Sequence, residues 1–140
     1  MTDVIIIGAG GHAAEIDEYI IFNEKVTGKK EFNVVGFLDD NPANYARYKL
    51  SAPHIGGASD HKVLKDHAYI IGIANLDSRH FFVEKYKSEG AIFISFVHIG
   101  AYLSMSSLVG EGCVIGPNVN IGPNVTIGAF TLINSRCSIG

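Results

Sequence analysis

Residues 97–140, written in groups of six, read VHIGAY LSMSSL VGEGCV IGPNVN IGPNVT IGAFTL INSRCS IG. Every group begins with an aliphatic residue, from Val97 to Ile139, and the fifth place of the seven complete groups holds a small residue. A period of six fits neither the turn of an α-helix nor the two-residue alternation of an isolated strand. Such fixed self-similarity is typical of a parallel β-helix, in which three groups build one triangular coil. The stretch therefore predicts a little over two coils.

The composition of the 140-residue chain is typical of a globular protein. Hydrophobic residues make up 47% and charged residues 18%, so enough apolar surface is present to bury a core. The formal net charge is -3 and no basic run occurs, which argues against binding of nucleic acid. The first apolar run, residues 4–7, is too short to span a membrane. We therefore expect a cytoplasmic protein with neither a nucleic acid nor a membrane as partner.

The first 95 residues alternate between apolar runs and helical patterns. Residues 4–7 are β-branched and apolar on both faces, as in a central parallel strand, and Ile16, Tyr19 and Ile20 follow at helical spacing. Strands are predicted at residues 4–7, 32–38, 69–73 and 92–96, and helices at residues 13–22, in a short piece at 63–64, and from an N-cap at Asp77 or Ser78. Pro42 is expected to end the second strand in a turn. The alternation predicts a small doubly wound parallel sheet over residues 1–95, followed by a partial β-helix over 96–140.

A glycine-rich loop joins the first strand to the first helix. Residues 8–13 read GAGGHA, which matches the G-x-G-x-x-A pattern of dinucleotide-binding folds. Gly8 permits the tight turn, Gly10 lets the backbone approach a pyrophosphate, and Ala13 lets helix and strand pack closely. The N–H groups at the start of the helix favour an anion. In the alternative interpretation, the glycines serve only a tight turn.

Three polar residues near this loop are candidate ligand contacts. Asp39 and Asp40 end the second strand, where dinucleotide-binding folds place an acidic residue on a ribose, although both could instead lie in a solvated turn. His12 could donate to a phosphate or sugar, or it could cap or pack against the helix. No histidine or cysteine spacing indicates a metal site, and Cys113 and Cys137 are expected to be buried thiols.

The order of these motifs resembles a known family. Residues 8–12, then 37–40, then 73–75, running directly into hexapeptides, resemble the sugar O-acyltransferase family of the sialic acid O-acetyltransferase and bacillosamine-pathway N-acetyltransferase type. The resemblance covers the whole chain. It implies that the β-helix is left-handed. The expected fold is thus a small Rossmann-like parallel sheet followed by the first coils of a left-handed parallel β-helix.

The resemblance also implies a function. Members of this family transfer an acetyl group from acetyl-CoA to an amino, less often hydroxyl, group of a nucleotide-linked amino sugar, and the Rossmann-like domain holds the nucleotide. Ala74 departs from the glycine common at its place. By motif match, the predicted nucleotide-sugar-binding residues are Gly8, Gly10, Gly11, His12, Asp39, Asp40, Ala74 and Asn75.

The catalytic residue is expected outside the chain. In the family pattern, a catalytic histidine followed by an acidic residue comes directly after the position of Gly140. The resemblance therefore implies that residues 1–140 are a truncated part of a longer protein and are inactive alone. The full-length protein is expected to form a homotrimer, to bind acetyl-CoA between adjacent β-helices and to need no metal.

Two other functions remain open from the residues alone. The glycine-rich loop also suits an oxidoreductase or sensor that binds NAD(P). A non-catalytic scaffold of hexapeptide type is the other alternative.

Overall fold

In the computed structural model, which describes residues 1–140, five parallel strands and three helices precede the hexapeptides. These elements are β1 (Thr2–Ile7), α1 (Gly11–Thr27), β2 (Phe32–Leu38), α2 (Pro42–Ala46), β3 (His54–Gly56), β4 (Ala68–Ile71), α3 (Leu76–Ser88) and β5 (Ile92–Phe93). The strands lie in the order β3-β2-β1-β4-β5 and pair in parallel. This order is that of a Rossmann-like sheet and confirms the prediction.

The central strand β1 forms the core of the first unit. Val4 to Ile7 are completely buried, because β2 and β4 flank the strand and side chains pack on both of its faces. The helix α1 packs its buried residues Ala13, Ile16 and Ile20 inward. It runs past the predicted end at residue 22 to Gly28, whose left-handed conformation (φ 69°) lets its N–H donate to the Glu24 carbonyl.

Several local expectations were wrong. The strand β2 ends at Leu38 as predicted, but Pro42 begins the helix α2, which was not predicted, because proline fits the first turn of a helix. Asn41 caps α2 by accepting from the Ala43 N–H at 3.1 Å. The strand β3 has no predicted counterpart, and residues 63–64 are not helical. The N-cap of α3 is Asn75, not Asp77 or Ser78, since its side chain accepts from the Ser78 N–H at 3.0 Å.

The second compact unit is residues 94–140, and the first is residues 1–93. The predicted strand 92–96 is correspondingly split. The two-residue strands of this unit are β6 (Phe96–Val97), β7 (Tyr102–Leu103), β8 (Leu108–Val109), β9 (Val114–Ile115), β10 (Asn120–Ile121), β11 (Thr126–Ile127), β12 (Leu132–Ile133) and β13 (Ser138–Ile139). They form three parallel sheets, β6-β9-β12, β7-β10-β13 and β8-β11.

The pairing confirms the parallel β-helix. Phe96 pairs with Val114, and Val114 pairs with Leu132, a step of 18 residues each time, so three groups of six make one coil. The first-place aliphatic residues stack inside, where Ile115 and Ile121 are fully buried. Cys113 is buried as predicted, whereas Cys137 is only partly buried, and both thiols are free.

The corners of the coils repeat a left-handed backbone conformation every six residues. Positive φ angles of 57° to 67° occur at Gly112, Asn118, Asn124, Phe130 and Arg136. Asparagine tolerates this conformation, but phenylalanine is strained in it. A Cβ on Gly112 would lie only 2.3 Å from the ring of Phe130, which is too close for any side chain. A glycine at 112 is therefore required for the corner above it to close.

No helix is both long enough and apolar enough to cross a membrane.

Candidate functional site

Three loops follow the carboxyl ends of neighbouring strands in the first unit. Residues 8–10 follow β1, residues 39–41 follow β2, and residues 72–75 follow β4. The chain leaves β1 towards β2 on one side and returns to β4 on the other, so the strand order reverses between β1 and β4. In open α/β sheets, ligands bind at this switch point, outside the carboxyl ends of the strands.

Gly8 is buried between two of these loops. Its N–H donates to the Leu38 carbonyl at 2.6 Å, and its φ of 106° is a conformation that favours glycine. A Cβ at this residue would lie 2.7 Å from the Gly72 carbonyl oxygen. Gly8 therefore provides the close packing of the loops after β1 and β4, while the surface that could face a ligand begins at Gly10.

The start of α1 is open. Gly10 occupies the N-cap position with φ -87°, no side chain caps the helix, and its first turn contains no acidic residue. A Cβ on Gly10 would meet no atom within 4 Å. Because the first N–H groups of a helix lack partners within the helix and carry a partial positive charge, this end can accept an anion such as a phosphate.

His12 lies in the first turn of α1 with a buried nitrogen. Its Nε2 is inaccessible to solvent and has no hydrogen-bond partner. Burial lowers the pKa of His12, the charge of Arg79 lowers it further, and Glu15 partly opposes this. The imidazole is thus neutral at pH 7. A buried polar atom without a partner costs about 1–3 kcal/mol, so His12 is held in this place at a cost to stability.

Asp39 ties its loop to the glycine-rich loop. Its Oδ2 accepts from the Ala9 N–H at 3.0 Å, and its Oδ1 accepts from the Asn41 N–H at 2.8 Å. The Asn44 amide donates to both oxygens. Asp39 is therefore not in a freely solvated turn. Protein donors already occupy both of its carboxylate oxygens.

Asp40, in contrast, is exposed and is held from the β3–β4 connection. Its Oδ1 accepts from the Ser59 N–H at 2.9 Å, and its Oδ2 accepts from the Ser59 hydroxyl. Gly57 leaves room for this carboxylate, since a Cβ there would lie 2.9 Å from Oδ1. The hydrogen bonds from Ser59 lower the pKa of Asp40, so the group is an anion at neutral pH.

Replacing Ser59 with alanine is expected to raise the pKa of Asp40 towards its usual value of 3.8, because the Ser59 hydroxyl bond is the largest cause of the depression. In the parent, the pKa of Asp40 is lower in the folded state than in the unfolded state. The hydrogen bonds from Ser59 to the Asp40 carboxylate therefore stabilise the fold above pH 3.8, and this contribution is lost as the pH falls through the folded-state pKa. NMR titration of the Asp40 carboxyl carbon measures it. Ser88→Ala is the matched control, since the Ser88 hydroxyl bonds to the Lys85 carbonyl. An unchanged Asp40 titration in Ser59→Ala would contradict the assignment.

The loop after β4 is fixed from both ends. The Gly72 N–H donates to the Ile7 carbonyl at 2.7 Å, and Arg79, buried in α3, donates to the carbonyls of Ile71 (3.3 Å) and Ile73 (3.2 Å). Ala74 and Asn75 are exposed in this loop, and Asn75 uses its side-chain oxygen to cap α3.

The structure thus brings Gly8, Gly10, Gly11, His12 and Asp39 together directly, and it places Asp40, Ala74 and Asn75 on the adjoining loops at the same edge of the sheet. Sequence reasoning missed Ser59 and Arg79. Ser59 lies outside regular structure, and the position of Arg79 in a helix does not reveal that its guanidinium reaches the carbonyls after β4. No group of three or more histidine, cysteine, aspartate or glutamate side chains is arranged to hold a metal ion.

Solved structures share this fold. PerB from Caulobacter crescentus, in complex with CoA and GDP-perosamine, is 24% identical with a TM-score of 0.78, over 99% of this chain and 63% of that chain. A histidine-to-asparagine mutant of perosamine N-acetyltransferase from the same organism, with the same ligands, gives the same values. The acetyltransferase domain of PglB from Neisseria gonorrhoeae FA1090, in complex with acetyl coenzyme A, is 20% identical with a TM-score of 0.71, over 97% of this chain and 66% of that chain.

At these identities the likeness establishes the fold, and the chain spans less than two thirds of the length of each relative. A comparison of the sequence with curated proteins finds no match. The PglD N-terminal domain family matches residues 3–86, which include all three loops at the edge of the sheet. This match covers more than half of the 140 residues and confirms the resemblance drawn from the motifs: the chain belongs to the PglD N-terminal domain family.

Proposed function

We propose that the chain is the nucleotide-binding part of an acetyl-CoA-dependent acetyltransferase that acts on the amino group of a nucleotide-linked amino sugar. The single observation that carries this proposal is the uncapped start of α1 at the strand-order switch point, which is open above Gly10 and is joined to the loop after β2 by the bond between Ala9 and Asp39. Membership of the PglD N-terminal domain family supports it, as does the fold shared with PerB, whose structure contains CoA and GDP-perosamine.

In the proposed complex, the diphosphate lies at the start of α1. The N–H groups of Gly10 and Gly11 face it, and His12, in the first turn of α1, is the proposed contact to a phosphate or ribose hydroxyl. Asp40 is a fixed anion, so it suits the hydroxyl or N–H donors of the ribose or base. Asp39 supports this surface by holding the Ala9 N–H, and Ala74 and Asn75 line its other side.

The chemistry proposed for the whole protein is acyl transfer. The neutral sugar amine attacks the thioester carbonyl of acetyl-CoA, a C–N bond forms, and the C–S bond breaks. The amine proton passes to a base, and the CoA thiolate leaves. We assign the base to the histidine that the resemblance places after Gly140, so residues 1–140 contribute substrate binding and no catalytic residue. The β-helix would take part in a homotrimer with acetyl-CoA held between subunits.

Binding of nucleoside diphosphates tests the proposal. In calorimetric titrations with UDP and with GDP, we expect at least one of them to bind. Gly10→Val should weaken that binding by about tenfold or more, because its side chain occupies the open space where the diphosphate lies. Gly128→Val is the matched control, since Gly128 is an exposed β-helix glycine whose Cβ would also meet no atom within 4 Å.

Two outcomes would refute the proposed site. One is the absence of binding for both diphosphates, and the other is equal binding by the parent and Gly10→Val. Quenching of NADH fluorescence, measured in parallel, distinguishes the proposed function from the alternative of an NAD(P)-binding oxidoreductase or sensor. Binding of NADH without binding of either diphosphate would favour that alternative.

A further inference from the structure

Tyr48 stands over the first residue of α1. Its phenol oxygen lies 3.1 Å from the position that a Cβ on Gly11 would occupy. The side chain is 43% exposed, and its hydroxyl makes no hydrogen bond to another residue of the chain. An exposed phenol without an internal partner contributes little to stability through that hydroxyl. Its position next to an uncapped helix start therefore suggests a role outside folding.

A buried carboxylate holds the segment that carries Tyr48. Asp17, only 2% exposed in α1, accepts from the Ser51 N–H at 2.8 Å and from the Ser51 hydroxyl at 2.5 Å. The Tyr45 hydroxyl donates to the Ala52 carbonyl at 2.9 Å and closes the same segment. A buried carboxylate is tolerated only when donors satisfy it, so these bonds anchor residues 45–52 on α1.

This anchoring fixes the backbone that carries Tyr48 and so limits the positions that the phenol can occupy. A donor that is already positioned loses little conformational entropy when a ligand arrives, and hydrogen bonds to charged oxygens are stronger than those between neutral groups. The start of α1 supplies backbone N–H groups and partial positive charge but no side-chain donor of its own at Gly10 and Gly11. A phosphate bound there would come within reach of the Tyr48 hydroxyl.

We propose that Tyr48 is a ligand-contact residue whose hydroxyl donates a hydrogen bond to a phosphate oxygen of the diphosphate at the start of α1. Asp17 and Ser51 are positioning residues that act through it. The inference rests on the proposed function, since it requires that a nucleoside diphosphate binds at this end of the helix. It goes beyond the glycine-rich loop, because Tyr48 belongs to the α2–β3 connection.

Calorimetric titration with UDP and GDP tests the contact. Tyr48→Phe keeps the ring and removes only the hydroxyl, so we expect the diphosphate that binds the parent to bind about tenfold more weakly. Tyr102→Phe, which removes an exposed phenol hydroxyl from the β-helix, should bind like the parent. Equal affinity of Tyr48→Phe and the parent would overturn the proposal.

A double-mutant cycle tests the positioning role. Ser51→Ala should weaken binding by about threefold in the parent and have no further effect in the Tyr48→Phe background, because Ser51 acts only through the phenol. Equal losses in both backgrounds would overturn this role. Circular dichroism melting confirms that each variant is folded.

The two proposals fail in distinguishable ways. If the parent binds a diphosphate and Gly10→Val weakens it while Tyr48→Phe does not, the proposed function stands and the Tyr48 contact is wrong. If the parent binds neither diphosphate, both proposals are wrong.

Discussion

Replacing Gly8 with alanine is expected to lower the free energy of unfolding of residues 1–93 by about 3 kcal/mol. Two effects add. A φ of 106° strains any residue with a side chain, and the new methyl group would lie 2.7 Å from the Gly72 carbonyl oxygen and 2.9 Å from Ile73 Cγ1. Movement of this carbonyl is restricted, because the Gly72 N–H is bonded to the Ile7 carbonyl and Arg79 holds the carbonyls of Ile71 and Ile73 on either side of it. The loops after β1 and β4 would have to separate.

Urea denaturation followed by circular dichroism measures this loss. Gly10→Ala is the matched control from the same loop, since Gly10 has φ -87° and a Cβ there would meet no atom within 4 Å. We expect the unfolding midpoint of Gly10→Ala to remain near that of the parent. Equal midpoints for Gly8→Ala and the parent would show that the packing of the two loops is not as described.

Replacing Ile115 with alanine is expected to destabilise the β-helix by about 3 kcal/mol, because the truncation leaves a cavity that the surrounding coils can fill only partly. Ile115 is fully buried in β9 and pairs with Val97 on one side and Ile133 on the other. Each coil buries its apolar residues only by stacking on its neighbours. The cavity would therefore weaken the packing of all three strands of this sheet.

Hydrogen exchange followed by mass spectrometry localises this effect. Exchange should become faster in residues 94–140 of Ile115→Ala and change little in residues 1–93, since the two compact units have separate cores. Leu108→Ala is the control, because Leu108 is 66% exposed. Protection of residues 94–140 equal to that of the parent would contradict an internal position for Ile115.

The site shows where sequence reasoning succeeds and where it stops. The G-x-G-x-x-A pattern located the open helix start correctly, because a tight turn and an uncapped helix depend on residues adjacent in the chain. The roles of Asp39 and Asp40 were not separable from sequence. Asp39 bonds to Ala9, 30 residues away, and Asp40 bonds to Ser59, 19 residues away, so tertiary contacts decide which carboxylate faces outward.

The same distinction applies to the fold. The sequence by itself determined the parallel β-helix, because a six-residue period repeats one local conformation and each coil then stacks on the next. It also determined the central strand, since a short β-branched run that is apolar on both faces and leads into a glycine-rich turn is typical of a strand inside a parallel sheet. It did not determine β3, which is three residues long and is a strand only because β2 offers it a paired edge.

Only the tertiary structure decided the surroundings of the helix start. Tyr48 reaches Gly11 because Ser51 is bonded to Asp17, a contact between residues 34 positions apart. Arg79 is buried because the carbonyls after β4 accept its guanidinium N–H groups. Such contacts form between segments that are far apart in the sequence and come together only in the folded chain. A local pattern of residue types therefore does not predict which segments will be in contact.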